Sequence, residues 1–185
     1  MKGFSKRSPE SAESGPIPGP SRRLWRIIYD GIGPGASWSS RALDSGKAIF
    51  PRCEAILLLV DTSVWIEVFK KPSRFDLRSV VDVDEVVTCL PIIQEVLQGF
   101  REENAFRLAR DAMFSFPLIE SPLRGEVFEE AAQLYRTARR AGITIRSGVD
   151  CLIAVCAMRH ELAVLHADRD FSFLSQVSPL KQISV

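Results

Sequence analysis

Between residues 56 and 185 short unbroken apolar runs alternate with stretches whose apolar residues recur every three or four positions. The first run, Ile56 to Val60, is aliphatic and uninterrupted, which predicts a strand covered on both faces, as in parallel sheets. "SVWIEVFKKP" then reads as a short helix, with Ser63 as its N-cap and Pro72 beyond its end. "EVVTCL", residues 85 to 90, predicts a second strand, and Pro91 opens the helix "PIIQEVLQGF", since proline suits a first helical turn. "REENAFRLARDAMF" has helical spacing, "FPLIE" predicts a third strand, and "RGEVFEEAAQLYRTARRAG" is a long amphipathic helix ending at Gly142. "SGVDCLIAVCAMRHE" is a largely apolar helix capped by Ser147, "LAVLHA" a fourth strand, "DRDFSFLSQ" a helical turn and "KQISV" a short last strand. Strands alternating with helices predict an α/β fold, a central parallel sheet flanked by helices.

Residues 1 to 54 follow neither period. "SPESAESGPIPGPS" is rich in Pro, Gly and Ser and buries little, so this part reads as a disordered extension of low order, with one domain over 55–185. "GIGPGA", Gly31 to Ala36, faintly echoes a dinucleotide-binding loop. Its central proline, the missing third glycine and the polar "SWSS" after it make it an ordinary loop.

Charge and cysteine usage narrow the function. The 185 residues carry a net charge of +1, but the sequence to residue 55 holds nine Lys or Arg against five acids, and the remainder fifteen against eighteen. The domain is thus mildly acidic, so any contact with nucleic acid must rest on a local site or on bound cations. Cys53, Cys89, Cys151 and Cys156 show no Cys-x-x-Cys spacing, and His160 and His166 are not at zinc-site intervals from them, so reduced, buried thiols in a cytoplasmic protein are expected. No apolar segment has membrane-spanning length, and no secretory leader is evident.

Four acids fall at junctions between elements. Asp61 ends the first strand, Glu95 lies in the first turns of the helix opened by Pro91, and Asp150 begins the helix after Ser147. Asp168 follows the last long strand, with Asp170 two residues on. In a parallel sheet, strand ends and the helix starts after them share one edge, so all can converge there. Each has a plainer reading: a charge favourable at a helix N-terminus for Asp150, a cap for Asp168 and Asp170. If they converge, carboxylates within about 4–6 Å raise one another's pKa unless a cation neutralises them. Oxygen ligands without Cys or His select Mg2+ or Mn2+, which pair with phosphate oxygens, so phosphoryl chemistry, with a cation-activated water attacking phosphorus, is expected. Thr62 and Ser63 could orient that water or a phosphate oxygen, with Ser63 also capping its helix.

"ILLLVDTSVWIEVF", "PIIQEVLQGF", "IRSGVDCLIAVCA" and "LAVLHADRDFSFL", in this order and at these separations, resemble the PIN-domain ribonucleases, most closely the VapC toxins of bacterial VapBC toxin/antitoxin modules. The resemblance covers roughly Ile56 to Val185. It implies a PIN-like three-layer sandwich and a metal-dependent endoribonuclease, the toxin of a type II system. It implies Asp61, Glu95, Asp150 and Asp168 as the metal-binding and catalytic acids, with Asp170 competing with Asp168. It also implies an RNA substrate, a homodimer, and inhibition by a VapB-type antitoxin whose tail enters the acidic groove, where a basic side chain would complement the carboxylates.

The resemblance implies a start a few residues before "VDTS", whereas here some fifty-five residues precede it, with no internal Met until Met113. A mis-assigned translation start, with initiation near Leu57 or Leu58, is the expectation. Two other phosphate-handling classes fit less well: a response-regulator receiver needs an acidic pair near its first strand, and a haloacid-dehalogenase-like phosphatase needs Asp where Ser63 stands. A non-catalytic PIN fold serving as a binding module would have lost one of the acids, and all are present.

Overall fold

The first strand, β1 (Leu58–Val60), is three consecutive residues with no exposed face. Apolar side chains pointing both ways from a strand require cover on both sides of the sheet. A computed structural model describes residues 57–70 and 75–185. Ile56, Pro72, Cys53, the "GIGPGA" loop and the extension over 1–54 lie outside the described residues.

After β1 come α1 (Thr62–Phe69), two 3-10 turns (Leu77–Ser79 and Val83–Glu85), β2 (Val86–Val87), α2 (Leu90–Gln98), α3 (Glu103–Met113), α4 (Gly125–Arg140), α5 (Gly148–Arg159), β3 (Ala163–His166), α6 (Arg169–Leu174) and β4 (Lys181–Ser184). The strands form one sheet in the order β2-β1-β3-β4. Every pairing is parallel: Leu58 stands opposite Val86 on one side and Ala163 on the other, and Ala163 opposite Lys181. Helices flank this four-stranded sheet, the α/β arrangement expected from the sequence.

The chain leaves β1 to one side for β2 and later crosses to the other for β3. The carboxyl ends beside that reversal form the crevice in which open α/β sheets place ligands. Asp61 extends the ladder by one bond, its N–H donating to Leu165 O at 2.9 Å. The strand end that carries the acid is therefore held as firmly as the strand.

Trp65 anchors α1 beneath this edge. It is fully buried, its indole N–H donates to Val60 O at 3.0 Å, and its ring lies 5.3 Å from Phe116 and 5.9 Å from Phe69. The indole N–H thus has the partner that a buried tryptophan needs. Cys89, Cys151 and Cys156 are free and buried.

Several elements differ from the sequence reading. The second strand shrinks to Val86–Val87, because Glu85 belongs to a 3-10 turn capped by Asp82. "FPLIE" is no strand of the sheet; its backbone forms an isolated parallel bridge between Thr88 and Leu118. Pro117 has no N–H to give and Glu120 takes a positive φ of 48°, so a longer ladder cannot form there. The cap of α1 is Asp61, not Ser63, whose own N–H is the group being capped. Ser147 caps α5 through a bond from Val149 N–H at 3.1 Å.

Trp65→Ala removes the largest side chain under β1 together with a buried hydrogen bond. We expect it to destabilise the domain by about 3–5 kcal/mol, read from the midpoint of urea denaturation.

Candidate metal centre

Asp61 is delivered by the end of β1 and is only 3 % exposed. Its Oδ2 accepts the N–H of Ser63 at 2.9 Å and the Ser63 hydroxyl as well. That hydroxyl in turn accepts Ala167 N–H at 2.9 Å, so one serine ties the end of β1 to the loop that follows β3. Glu95 sits one turn into α2, half-buried, and its Oε2 accepts the Thr62 hydroxyl at 2.9 Å. Neighbouring hydroxyls on α1 thus grip two different acids. This commits both Thr62 and Ser63 to carboxylates in this structure.

Asp150 is presented by the first turn of α5. Asp168 caps α6 through the N–H of Asp170 at 3.0 Å. Asp170 is turned inward and fully buried, where it accepts Arg146 N–H at 2.8 Å and Arg146 Nε at 3.2 Å. The Arg146 Nη2 meets Asp168 Oδ1. Arg146 was not singled out in the sequence. The available signal was a cation one residue before a helix cap in a stretch otherwise supplying acids.

Electrostatics bind these groups into one site. Burial, followed by the charges of Asp61, Asp168, Glu95 and Asp170, pushes the Asp150 carboxyl up to about 7. Burial also raises Asp61 above the usual carboxylate range, against hydrogen bonds from Ser63 that favour the ionised form. Burial lifts Glu95 too, with the charge of Asp61 adding to it and the Thr62 hydroxyl opposing. The structure therefore brings the acids of two strand ends and three helix starts within electrostatic reach of one another. Burial and the neighbouring charges favour the protonated form of Asp150, and a bound cation would favour its ionised form.

The donor chemistry fits Mg2+ or Mn2+. Asp61, Glu95, Asp150 and Asp168 offer only oxygen, and the nearby His166 is buried with its Nε2 spent on Gln182 Oε1 at 2.6 Å. Among the described residues no three acid, His or Cys side chains already close around a single point as a finished cage. Magnesium does not need one, since it keeps several waters and is held through one or two carboxylates together with substrate phosphates.

Comparison with known proteins gives a consistent picture. A family model for the PIN domain matches residues 58–175. Ribonuclease VapC11 of Mycobacterium tuberculosis is 32% identical over 133 residues, 69% of this chain and 98% of that protein. The VapC ribonuclease Mb1587 of Mycobacterium bovis matches to the same extent. Among solved structures, VapBC-5 from Mycobacterium tuberculosis superposes with a TM-score of 0.52 at 22% identity, over 71% of this chain and 100% of that one. VapBC2 from Rickettsia felis, bound to a DNA fragment from its promoter, superposes with a TM-score of 0.54 at 12% identity, over 70% and 99%. At these identities the two structures speak to the fold alone.

A pH test follows from the raised Asp150. Its carboxyl stands at about 7 in the fold against an ordinary value of 3.8, so between those values the folded chain holds a proton that the unfolded chain has lost. Its contribution to stability is therefore fully present below about pH 4 and is lost as pH rises towards 7. In chelator we expect Asp150→Asn to be more stable than the parent at pH 8, by on the order of 2 kcal/mol, and no more stable at pH 4. Thermal melts of both proteins at the two pH values check the sign.

Proposed function

The chain belongs to the PIN-domain family, in its VapC branch, and from that premise we propose that it is a Mg2+-dependent endoribonuclease, the toxin of a type II toxin/antitoxin pair. The observation that carries this reading is the acid cluster itself, in which Asp150 is held near neutrality by burial and by the carboxylates around it. A protein gains nothing in stability from such crowding, so the arrangement points to a ligand that uses it.

In this reading Asp61, Glu95, Asp150 and Asp168 hold the cation, with Mn2+ able to replace Mg2+. The bound cation would lower the pKa of a water and offset the charge that builds on the phosphate during attack. The chain's own residues do the positioning. Ser63 fixes the free oxygen of Asp61 by occupying the other, and Thr62 does the same for Glu95. Because both hydroxyls are spent in this way, we assign them to orienting the carboxylates, and through those the water.

The substrate is RNA, taken by its phosphates through the cation, since the domain carries more acids than bases. We further propose a homodimer, working in the cytoplasm, and a VapB-type antitoxin whose basic side chain would sit against the uncompensated carboxylates. Among the described residues no helix is long and apolar enough to cross a membrane.

Cleavage of RNA by the purified chain should require Mg2+ or Mn2+ and stop in chelator. Asp61→Asn should lower the rate at least about a hundredfold, with an unchanged circular dichroism spectrum. Full activity in chelator, or in that variant, would refute the mechanism. Expression of the chain alone should also arrest bacterial growth, and co-expression of the neighbouring upstream gene should relieve the arrest, as colony counts would show. Indifferent hosts would favour a binding module instead.

A further inference from the structure

Two acids, Asp168 and Asp170, compete for one place at the rim, and the structure treats them differently. Asp170 has a side chain 1% exposed, Asp168 one that is 31% exposed. Both oxygens of Asp170 face Arg146: Oδ2 takes the backbone N–H at 2.8 Å and Nε at 3.2 Å, and Oδ1 lies 3.3 Å from Nε. Asp168 spends Oδ1 on Asp170 N–H and on Arg146 Nη2. Among the described residues no hydrogen bond falls on its Oδ2.

Resting on the reading that this rim binds a divalent cation, we propose that Arg146 and Asp170 form a positioning clamp that sets Asp150 against Asp168, with Asp168 and not Asp170 the ligand. Arg146 immediately precedes Ser147, the cap of α5, and Asp150 lies in that helix's first turn. Asp170 lies in the first turn of α6, which Asp168 caps. The bond between Arg146 and Asp170 therefore joins the two helix starts that present the third and fourth acids. It joins them through a backbone N–H and a planar guanidinium, a rigid connection that fixes direction as well as distance.

Asp170 cannot turn to a cation without abandoning the guanidinium. Asp170 is buried while Arg146 is half exposed, so parting them strands the carboxylate without its compensating charge. Asp168 needs no such exchange, since its second oxygen is already turned out from the pair. Groups that orient a ligand from behind commonly govern metal affinity although they never touch the metal.

Charge and geometry predict opposite signs for Arg146. If it were only a counter-ion at an acidic rim, its removal would tighten cation binding, because a positive charge repels the ligand. As a clamp, its removal loosens binding. The test is calorimetric titration of Mn2+ into the full chain and its variants. Arg146→Ala and Arg146→Lys should each weaken Mn2+ binding about tenfold, the lysine variant because a point charge cannot reproduce the fork. Asp170→Asn should weaken it less than Asp168→Asn. In an Asp168→Asn background Arg146→Ala should cost nothing further.

Unchanged or tighter binding by Arg146→Ala overturns the clamp, as does a larger loss from Asp170→Asn than from Asp168→Asn. Where the alanine variant does not fold, the lysine and asparagine variants decide, each checked by its thermal melt. A parent protein that binds Mn2+ but cleaves no RNA defeats the proposed function and leaves the clamp standing on its own titrations. A parent that binds no Mn2+ defeats both.

Discussion

Mutual repulsion among carboxylates is the constraint around which the carboxyl edge of this sheet is built. Asp61 ends a strand in an almost fully buried position, and Asp150, Glu95, Asp168 and Asp170 bear on one another electrostatically. Such a group of acids is costly to assemble, and folding must supply the work from elsewhere. The supply comes from the apolar layers beneath: β1 and β3 pair along the middle of the sheet within the buried core, and Trp65 fastens α1 to the strand that carries the first acid. The core pushes the rim together, and protonation relieves part of the strain until a cation can do so.

Small polar groups then divide the labour of holding each acid still. Ser63 accepts from Ala167 and donates to Asp61, so it links two neighbouring strand ends at the point where they diverge. Thr62 reaches to the next helix and holds Glu95. Arg146 is drawn into the group, and its fork runs to two acids at once. The resulting network gives Asp61, Glu95, Asp168 and Asp170 a fixed direction, which is what a preorganised site needs.

The alternation of strands and helices was legible because β1 and β3 are apolar on both faces and α4 and α5 have clear helical spacing. The short elements were not. "EVVTCL" looks like six residues of strand, yet Asp82 starts a 3-10 turn that consumes its first residue, and the bond from Thr88 goes to the Leu118 bridge rather than to the sheet. Ser63 was misplaced as a cap because two capping residues stand side by side, and the choice between them depends on which one the strand ladder holds in an extended conformation. Asp61 is held so, through its N–H to Leu165. The difference between Asp168 and Asp170 is likewise invisible in letters, since alternation along a helix start says which residues face inward only once the partner, Arg146, is placed.

The strand order has a consequence for synthesis. β1 is the first described strand in the chain but lies in the interior of the sheet, and its partner β3 is encoded about a hundred residues later. A ribosome therefore releases the central strand long before β3 can pair with its second edge, and the acids cannot gather until α5, β3 and the start of α6 have emerged. The nascent chain thus exposes its first acid without the companions that would make a cation welcome there, and the rim is completed late in synthesis.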